Sequence, residues 1–215
     1  MSSTPFCCPA RSRVTGRLPR QIGEGGLRLL LLITFVSMLP AFGHAQAPVQ
    51  TVPAVDLPRY LGDWFEVARL PNRFQTECVA HVRATYVRRT DGRLDVINRC
   101  DTANGDTIQA QGLAIVADAK TFAKLKVRFA PAFLSFLPMV WGDYWILGLA
   151  RDYSWAVVGS PDRKYLWILS RTPVLPAPSY GEAVTVAGKN GFAVNQLIRT
   201  RHDLPGPRRR PARTE

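Results

Sequence analysis

The sequence has few side chains that could hold a metal ion or a cofactor. Its 215 residues include three histidines and four cysteines, and only Cys78, Cys100, His81 and His202 lie beyond the N-terminal leader described below. A structural zinc site takes four such ligands close together, and a disulfide between the two cysteines would leave only His81 and His202. The G-x-S-x-G, H-E-x-x-H and phosphate-binding glycine-loop motifs are also missing. We therefore expect no metal, no cofactor and no catalytic residue.

The chain also lacks an apolar run long enough to cross a bilayer, which takes about 20 residues. The run at residues 29–39 has 11 residues, follows five arginines and leads to the small residues Gly43 and Ala45. This pattern predicts a secretory signal peptide over residues 1–45, cleaved before Gln46. An uncleaved N-terminal anchor is the alternative. Because no cysteine ends the apolar run, we expect no lipoprotein anchor.

Acidic residues are too few to balance the basic ones, but the excess is local. The net charge is +12, yet residues 46–198 carry 17 Lys and Arg against 13 Asp and Glu. Residues 199–215 contain six arginines. An exported chain with this distribution is not expected to bind nucleic acid. Residues 201–215 are predicted to be a basic, disordered tail, with contact to anionic lipid head groups as the alternative.

The two cysteines of the exported chain predict one disulfide, because their number is even and the compartment is oxidising. A Cys78–Cys100 bridge would close a loop of about 23 residues and contribute about 3 kcal/mol. Simple register from the Asp91-Gly92 turn does not place the two cysteines opposite each other. The bridge would therefore need a bulge or a loop that reaches across.

The chain does contain a series of short segments in which apolar and polar residues alternate. Eight of them follow one another from residue 60 to residue 173, with turn residues between them and no helical pattern. This favours an all-β fold, an eight-stranded antiparallel up-and-down barrel. A C-terminal helix follows, with Ser179 and Glu182 spaced as a capping box and Gly188 or Gly191 as its end. Residues 192–200 predict a short final strand.

An eight-stranded barrel is wide enough to hold one small ligand. Period 2 turns mainly small or apolar residues inward, and such a lining suits an apolar ligand. A barrel filled by its own aromatic side chains is the alternative. The predicted inward residues are Ala84, Tyr86, Val96, Ala110, Ala114, Val127 and Phe129.

Three motifs carry a resemblance to a known family. Gly62-Asp63-Trp64 opens the first strand, Asp152-Tyr153 lies in a turn, and Arg171 follows the eighth strand. Because the three motifs occur in the family's order, the chain resembles the lipocalin family over about residues 53–200. It is most similar to the bacterial outer-membrane branch of that family, which is related to apolipoprotein D. We expect a lipocalin barrel domain over residues 46–200.

The resemblance implies roles for these motif residues and for the barrel wall. Trp64 would stack on Arg171 at the closed end, and Gly62 would allow a tight turn. The family's ligand wall, carried over strand by strand, implies contacts from Ala84, Tyr86, Val96, Asn98, Leu125, Val127, Phe129, Tyr144, Ile146, Trp167 and Leu169.

Glu66 is a further ligand candidate, because period 2 from Trp64 points it inward. A buried carboxylate needs partners, and Asn98, Tyr86 and Tyr144 are the candidates. Either Glu66 contacts a ligand head group, or it is a hydrogen-bonded structural group of the barrel.

Residues 130–143 form a long apolar loop between the fifth and sixth strands. It would carry Phe133, Phe136, Leu137 and Met139 near the mouth, as a lid, a membrane dock, a dimer contact or packing against the barrel. On the strand before it, Lys124, Lys126 and Arg128 face outward, and near the rim one of them could meet a phosphate group.

The function predicted from these features is non-enzymatic binding, storage or transport of a lipid, namely a fatty acid or a lysophospholipid. The protein would act in the periplasm, as a monomer or homodimer. Association with the outer membrane and peripheral membrane contact are further predictions. Two alternatives stay open: an envelope interaction protein that docks through the apolar loop, and a lipocalin-type enzyme.

Overall fold

The computed structural model describes residues 46–131, 134 and 137–203. The predicted signal peptide, Phe133, Phe136 and the chain beyond Asp203 lie outside the described residues. Short 3₁₀ turns occur at Pro138–Val140 and Val194–Gln196. The other elements are, in order, α1 (Leu57–Tyr60), β1 (Gly62–Arg69), β2 (Ala80–Arg88), β3 (Leu94–Asp101), β4 (Thr107–Val116), β5 (Lys124–Arg128), β6 (Gly142–Leu149), β7 (Trp155–Gly159), β8 (Leu166–Ser170), α2 (Ala177–Lys189) and β9 (Ile198–Arg199).

The eight long strands form a closed antiparallel barrel. Consecutive strands pair from β2 to β8, and β1 pairs with both β2 and β8, which closes the sheet on itself. Strand β9 adds to β1. We call the end beside α1 the closed end and the opposite end the mouth. The predicted eight-stranded up-and-down barrel, with a C-terminal helix and a short final strand, is confirmed.

An outer hydrophobic core lies between the barrel and α2. Ala183 and Ala187 of the helix pack against a cluster that includes the outward-facing Val157 and Ile168. The helix comes so close to β6 that a Cβ at Gly148 would lie 2.8 Å from a helix side chain. Strand β7 is therefore buried on both faces, and β8 nearly so.

An inner hydrophobic core lies within the barrel. Trp64 and Tyr60 form its base, and inward-facing residues from β2 to β8 complete it. The buried members are Val55, Tyr60, Trp64, Tyr86, Leu94, Val96, Ala114, Ala123, Leu125, Ile146, Ala156, Val158 and Leu169.

Trp64 leans on Arg171 at the closed end, as the resemblance implied. The Arg171 Cζ lies 3.8 Å from the centroid of the Trp64 ring, a cation–π contact of about 0.5 to 2 kcal/mol. Arg171 donates from Nη1 to the Asp63 carbonyl at 2.7 Å and from Nη2 to the Arg59 carbonyl at 2.6 Å. The Trp64 indole donates to the Tyr60 carbonyl at 2.8 Å. These bonds tie α1 to the last barrel strand.

The other motif residues also lie at this end. Gly62 has φ +89°, a left-handed conformation that favours glycine. The Tyr153 hydroxyl accepts a hydrogen bond from the Asp56 backbone N–H at 2.8 Å. The Arg59 guanidinium covers the Tyr153 ring, with its Cζ 4.0 Å from the centroid. The closed end is thus sealed by motif residues that contact one another or α1.

The predicted Cys78–Cys100 disulfide is present, with 5.5 Å between the two Cα atoms. Cys78 lies in the loop before β2, and Cys100 lies on β3. The β2–β3 register shifts by one residue between Ala80 and Arg83. The turn register predicted that the bridge needs a bulge or a loop that extends to β3, and the structure contains both.

The helix differs from its predicted start. It begins at Ala177 after Pro176, with no side-chain cap, so the predicted capping box of Ser179 and Glu182 is wrong. Pro178 lies in the first turn, where its missing N–H needs no cap and its fixed φ suits the helix. The helix ends at Lys189 before Gly191, whose φ is +79°. Among the described residues, no helix has the length and apolarity needed to span a membrane.

The chain after α2 returns to the barrel at the mouth. The Thr200 backbone N–H donates to the Val67 carbonyl at 3.0 Å, and Arg201 forms a bridge to Ala80. The predicted final strand is reduced to β9, because residues 194–196 form a 3₁₀ turn instead. The domain boundary at residue 200 and a disordered tail stay predictions.

Candidate ligand-binding site

The predicted ligand wall lies largely in the inner core. Cross-strand pairs share one face of a sheet, so the pairing of Trp64 with Ala84 and of Ala84 with Asn98 turns all three inward. Nine of the predicted residues belong to the inner cluster, namely Ala84, Tyr86, Val96, Leu125, Val127, Tyr144, Ile146, Trp167 and Leu169.

The inner face is filled on one side of the barrel and open on the other. Ile146, Ala156 and Val158 are fully buried. On β4, by contrast, the inward-facing Ala110 is exposed, and Ile108, paired with Cys100, is 38% exposed. Since these residues face inward, their exposure shows that the first half of β4 is not covered from inside the barrel. We call the inward face of β2–β5 at the mouth the open wall.

Phe129 stands at the top of the open wall. It continues the inward alternation of Val127, is 45% exposed, and lies against Gly112 of β4. A Cβ at Gly112 would come within 2.8 Å of the Phe129 ring. Gly112 therefore lets an aromatic ring lie flat against the inner wall at the mouth.

Three tyrosine hydroxyls form a chain low in the barrel. The Tyr144 hydroxyl lies 2.8 Å from that of Tyr60 and 2.8 Å from that of Tyr86. Burial raises the pKa of Tyr86 to about 12 and raises the pKa values of Tyr60 and Tyr144 well above the usual range. All three stay neutral at physiological pH. Three O–H groups make two bonds with one another, so one proton remains for a further acceptor.

Tyr60 is a member of this chain that sequence reasoning missed. It begins the first predicted segment but lies in the four-residue helix α1, so the period of a strand does not set its direction. The signal that could have found it is its spacing, four residues before Trp64. This spacing places its carbonyl under the indole N–H.

Asn98 provides an acceptor in the same space. Its Oδ1 is buried and has no hydrogen-bond partner among the described residues. Its neighbours across the strands, Ala84 and Ala110, carry no donor side chain. A buried acceptor without a donor is costly, so a ligand donor at this position would be favourable.

Glu66 points inward but is fully engaged, and its predicted partners are wrong. It is 2% exposed and accepts hydrogen bonds from Arg69 at 2.9 Å, from Gln75 at 2.6 Å and from Thr200. A register shift between Glu66 and Ala68 brings Arg69 to the same face. The bonds favour the structural role of Glu66 over a head-group contact.

Trp167 joins this polar group at the mouth. Its indole N–H donates to the Gln75 Oε1 at 2.9 Å, and its ring stacks on Tyr165, with centroids 6.1 Å apart. Gln75 also donates to Glu66. Gln75 of the loop between β1 and β2 thus binds the N–H edge of Trp167, while the side chain stays half-buried beside the interior.

The apolar loop after β5 is partly covered. Leu134 and Leu137 are half-buried, whereas Met139 is 85% exposed. The strand directions place this loop at the mouth, as expected.

The two cysteines and one of the histidines named above are engaged with other residues. Cys78 and Cys100 are bonded to each other, and the His81 Nδ1 lies 2.7 Å from the Asp101 carboxylate. No cluster of possible metal ligands occurs among the described residues.

Comparison with known proteins agrees with this architecture. The family model described as a lipocalin-like domain matches residues 55–202. The chain is 41% identical to the outer membrane lipoprotein Blc of Escherichia coli (strain K12) over 151 residues, 70% of this chain and 81% of Blc. It is 40% identical to temperature-induced lipocalin-1 of Arabidopsis thaliana over 154 residues, 71% of this chain and 82% of that protein.

Among solved structures, insecticyanin from the tobacco hornworm Manduca sexta shares the fold. The TM-score is 0.57 at 20% identity, covering 72% of this chain and 85% of insecticyanin. The sequence matches and the closed barrel together show that this chain belongs to the lipocalin family, whose members are generally carriers of small hydrophobic ligands.

Proposed function

We propose that this protein is a non-enzymatic carrier that holds one lipid, a fatty acid or a lysophospholipid, against the open wall of its barrel. The observation that carries the proposal is the exposure of inward-facing Ile108, Ala110 and Phe129, although the opposite wall is filled. Apolar surface left open inside a barrel is stabilised when an acyl chain covers it.

The polar groups of the interior favour a lysophospholipid over a fatty acid. Asn98 Oδ1 needs a donor, and the tyrosine chain has one proton to give. A lysophospholipid carries a glycerol hydroxyl, which both donates and accepts. An ionised fatty acid has acceptors only.

The proposed place of action is the cell envelope, in the periplasm or at the outer membrane. This rests on the predicted signal peptide and on the 41% identity to Blc, which is named an outer membrane lipoprotein.

The test is native mass spectrometry of the exported form, followed by lipid extraction and by displacement of a fluorescent fatty acid. We expect one acyl lipid per chain. Ala110→Trp fills the open wall and should weaken binding at least about tenfold, whereas Gln109→Trp, on the outward face of the same strand, should not. Equal affinity in both variants would contradict a ligand at the open wall.

A second comparison identifies the lipid class. Asn98→Leu removes the buried acceptor and should weaken lysophospholipid binding while leaving fatty acid binding nearly unchanged. Equal losses for both lipids would contradict the preference for a lysophospholipid.

Peripheral membrane contact through the apolar loop is a second proposal, favoured by the exposure of Met139. Deleting residues 133–139 should reduce liposome flotation while ligand binding is retained. Unchanged flotation would contradict it.

A further inference from the structure

A second cavity lies on the outside of the barrel, away from the proposed lipid. Its volume is about 390 Å³, and its lining comes from the β2–β3 hairpin and from strands β3, β4 and β5. The residues that line it are Arg89, Arg93, Asp95, Gln111, Gly112, Leu113 and Arg128. The pairing of Leu113 with Arg128 places both on the face opposite to Val127, and therefore outside the barrel.

Arg128 is the unusual residue of this cavity. It is only 7% exposed, and it contacts Pro131 and Trp141. Nη1 donates to the Pro131 carbonyl at 2.7 Å, and the Cζ lies 5.2 Å from the centroid of the Trp141 ring. The Nε is buried and has no hydrogen-bond partner among the described residues.

Arg128 also forms no ion pair with the described residues. None of the ion pairs found among residues 46–131, 134 and 137–203 includes Arg128. The other two arginines of the cavity differ, since Arg89 binds Asp95 at 3.0 Å and Arg93 binds Asp91. A buried cation without an ion-pair partner is unfavourable for folding.

We propose that this outer cavity binds a phosphate-bearing ligand and that Arg128 is its anchor. A phosphate would supply a countercharge to Arg128, which forms no ion pair among the described residues. Guanidinium groups bind phosphate with paired hydrogen bonds. The cavity exceeds the size of one phosphate group, so it suits an organic phosphate, either a soluble one or a lipid head group.

The test uses the full exported chain with inorganic phosphate as the probe, in chloride buffers of matched ionic strength. Phosphate should bind at one site by calorimetry and raise the thermal midpoint. Arg128→Met should weaken binding at least about tenfold, while its own midpoint without phosphate stays equal or rises. Arg151→Met removes the same charge from an exposed turn and should leave phosphate binding unchanged.

A second variant leaves the buried arginine intact. Gln111→Glu adds a negative charge at the exposed rim of the cavity and should also weaken phosphate binding. Equal phosphate binding by wild type, Arg128→Met and Gln111→Glu, or no binding by wild type, would overturn the proposal. Arg128 would then be a packing residue that covers Trp141 with its stem and guanidinium.

Vesicles identify the source of the phosphate. Phosphatidylcholine vesicles with phosphatidic acid should compete with inorganic phosphate if the ligand is a lipid head group, and plain phosphatidylcholine vesicles should not. Phosphate binding that both vesicle types leave unchanged assigns the site to a soluble phosphate. Lipid binding at the open wall is measured separately, so either site can fail without the other.

Discussion

The two sides of this barrel are built from similar strands but are supported differently. Strands β7 and β8 lie between the inner core and α2, and nearly all of their residues are buried. The first half of β4 has no such backing, and residues 107–111 are exposed on both faces. One wall therefore provides most of the packing, while the other leaves apolar inward surface free for a ligand.

The largest expected effect comes from charging the packed side. Ala183→Asp places a carboxylate into the outer core, where no partner is within reach among its cluster of apolar neighbours. The free energy of unfolding should fall by at least about 3 kcal/mol. The matched change Thr185→Asp, on the exposed face of α2, should cost less than about 0.5 kcal/mol. Urea denaturation measures both, and equal losses would contradict the two-core description.

The disulfide belongs to the open side, where it fixes the loop before β2 to β3. The double change of Cys78 and Cys100 to Ser should cost about 3 kcal/mol, mainly by releasing the unfolded chain. Hydrogen exchange should increase most at the mouth ends of β2 and β3 and least in β7 and β8. A uniform increase over all strands would mean that the open wall is not locally weaker.

Alkaline pH tests whether the lower part of the open wall is dry. Burial raises the pKa of Tyr86 from 10.0 to about 12, so the folded state holds its proton more tightly than the unfolded chain. The corresponding stability, about 2 to 3 kcal/mol, is complete below pH 10 and is lost as the pH rises towards 12.

Tyr86→Phe should therefore flatten the decrease in unfolding free energy between these pH values. Urea titrations at stepped pH, together with phenolate absorbance, measure it. Identical slopes in variant and wild type would show that water reaches the Tyr86 hydroxyl.

The smallest expected effect is a matched valine pair. Val157 is fully buried in the outer core, while Val127 is half-buried on the open wall. Val157→Ala should cost about 2 kcal/mol and Val127→Ala less than about 0.5 kcal/mol. Lipid affinity should show the opposite ranking, because only Val127→Ala should reduce it. A larger stability loss at Val127 would indicate that the barrel is filled on both sides.

Much of the fold could be predicted because its causes are local. Alternation with period 2 sets which side chains face inward. Five of the seven residues that it predicted to face inward lie in the inner core, namely Ala84, Tyr86, Val96, Ala114 and Val127. The Trp64–Arg171 contact followed from the motif resemblance. The predicted capping box at Ser179 is wrong, because the helix already begins at Ala177, between Pro176 and Pro178.

The sequence by itself determined the barrel, the inward faces and the even pair of cysteines, since periodicity, turns and composition act over a few residues. Tertiary structure alone decided the partners of Glu66, one of which, Thr200, lies 134 residues away. It also brought Tyr60 to the tyrosine chain and Arg128 to the Pro131 carbonyl. Such contacts depend on a register shift, on loop paths and on strand closure, and no short pattern in the chain encodes them.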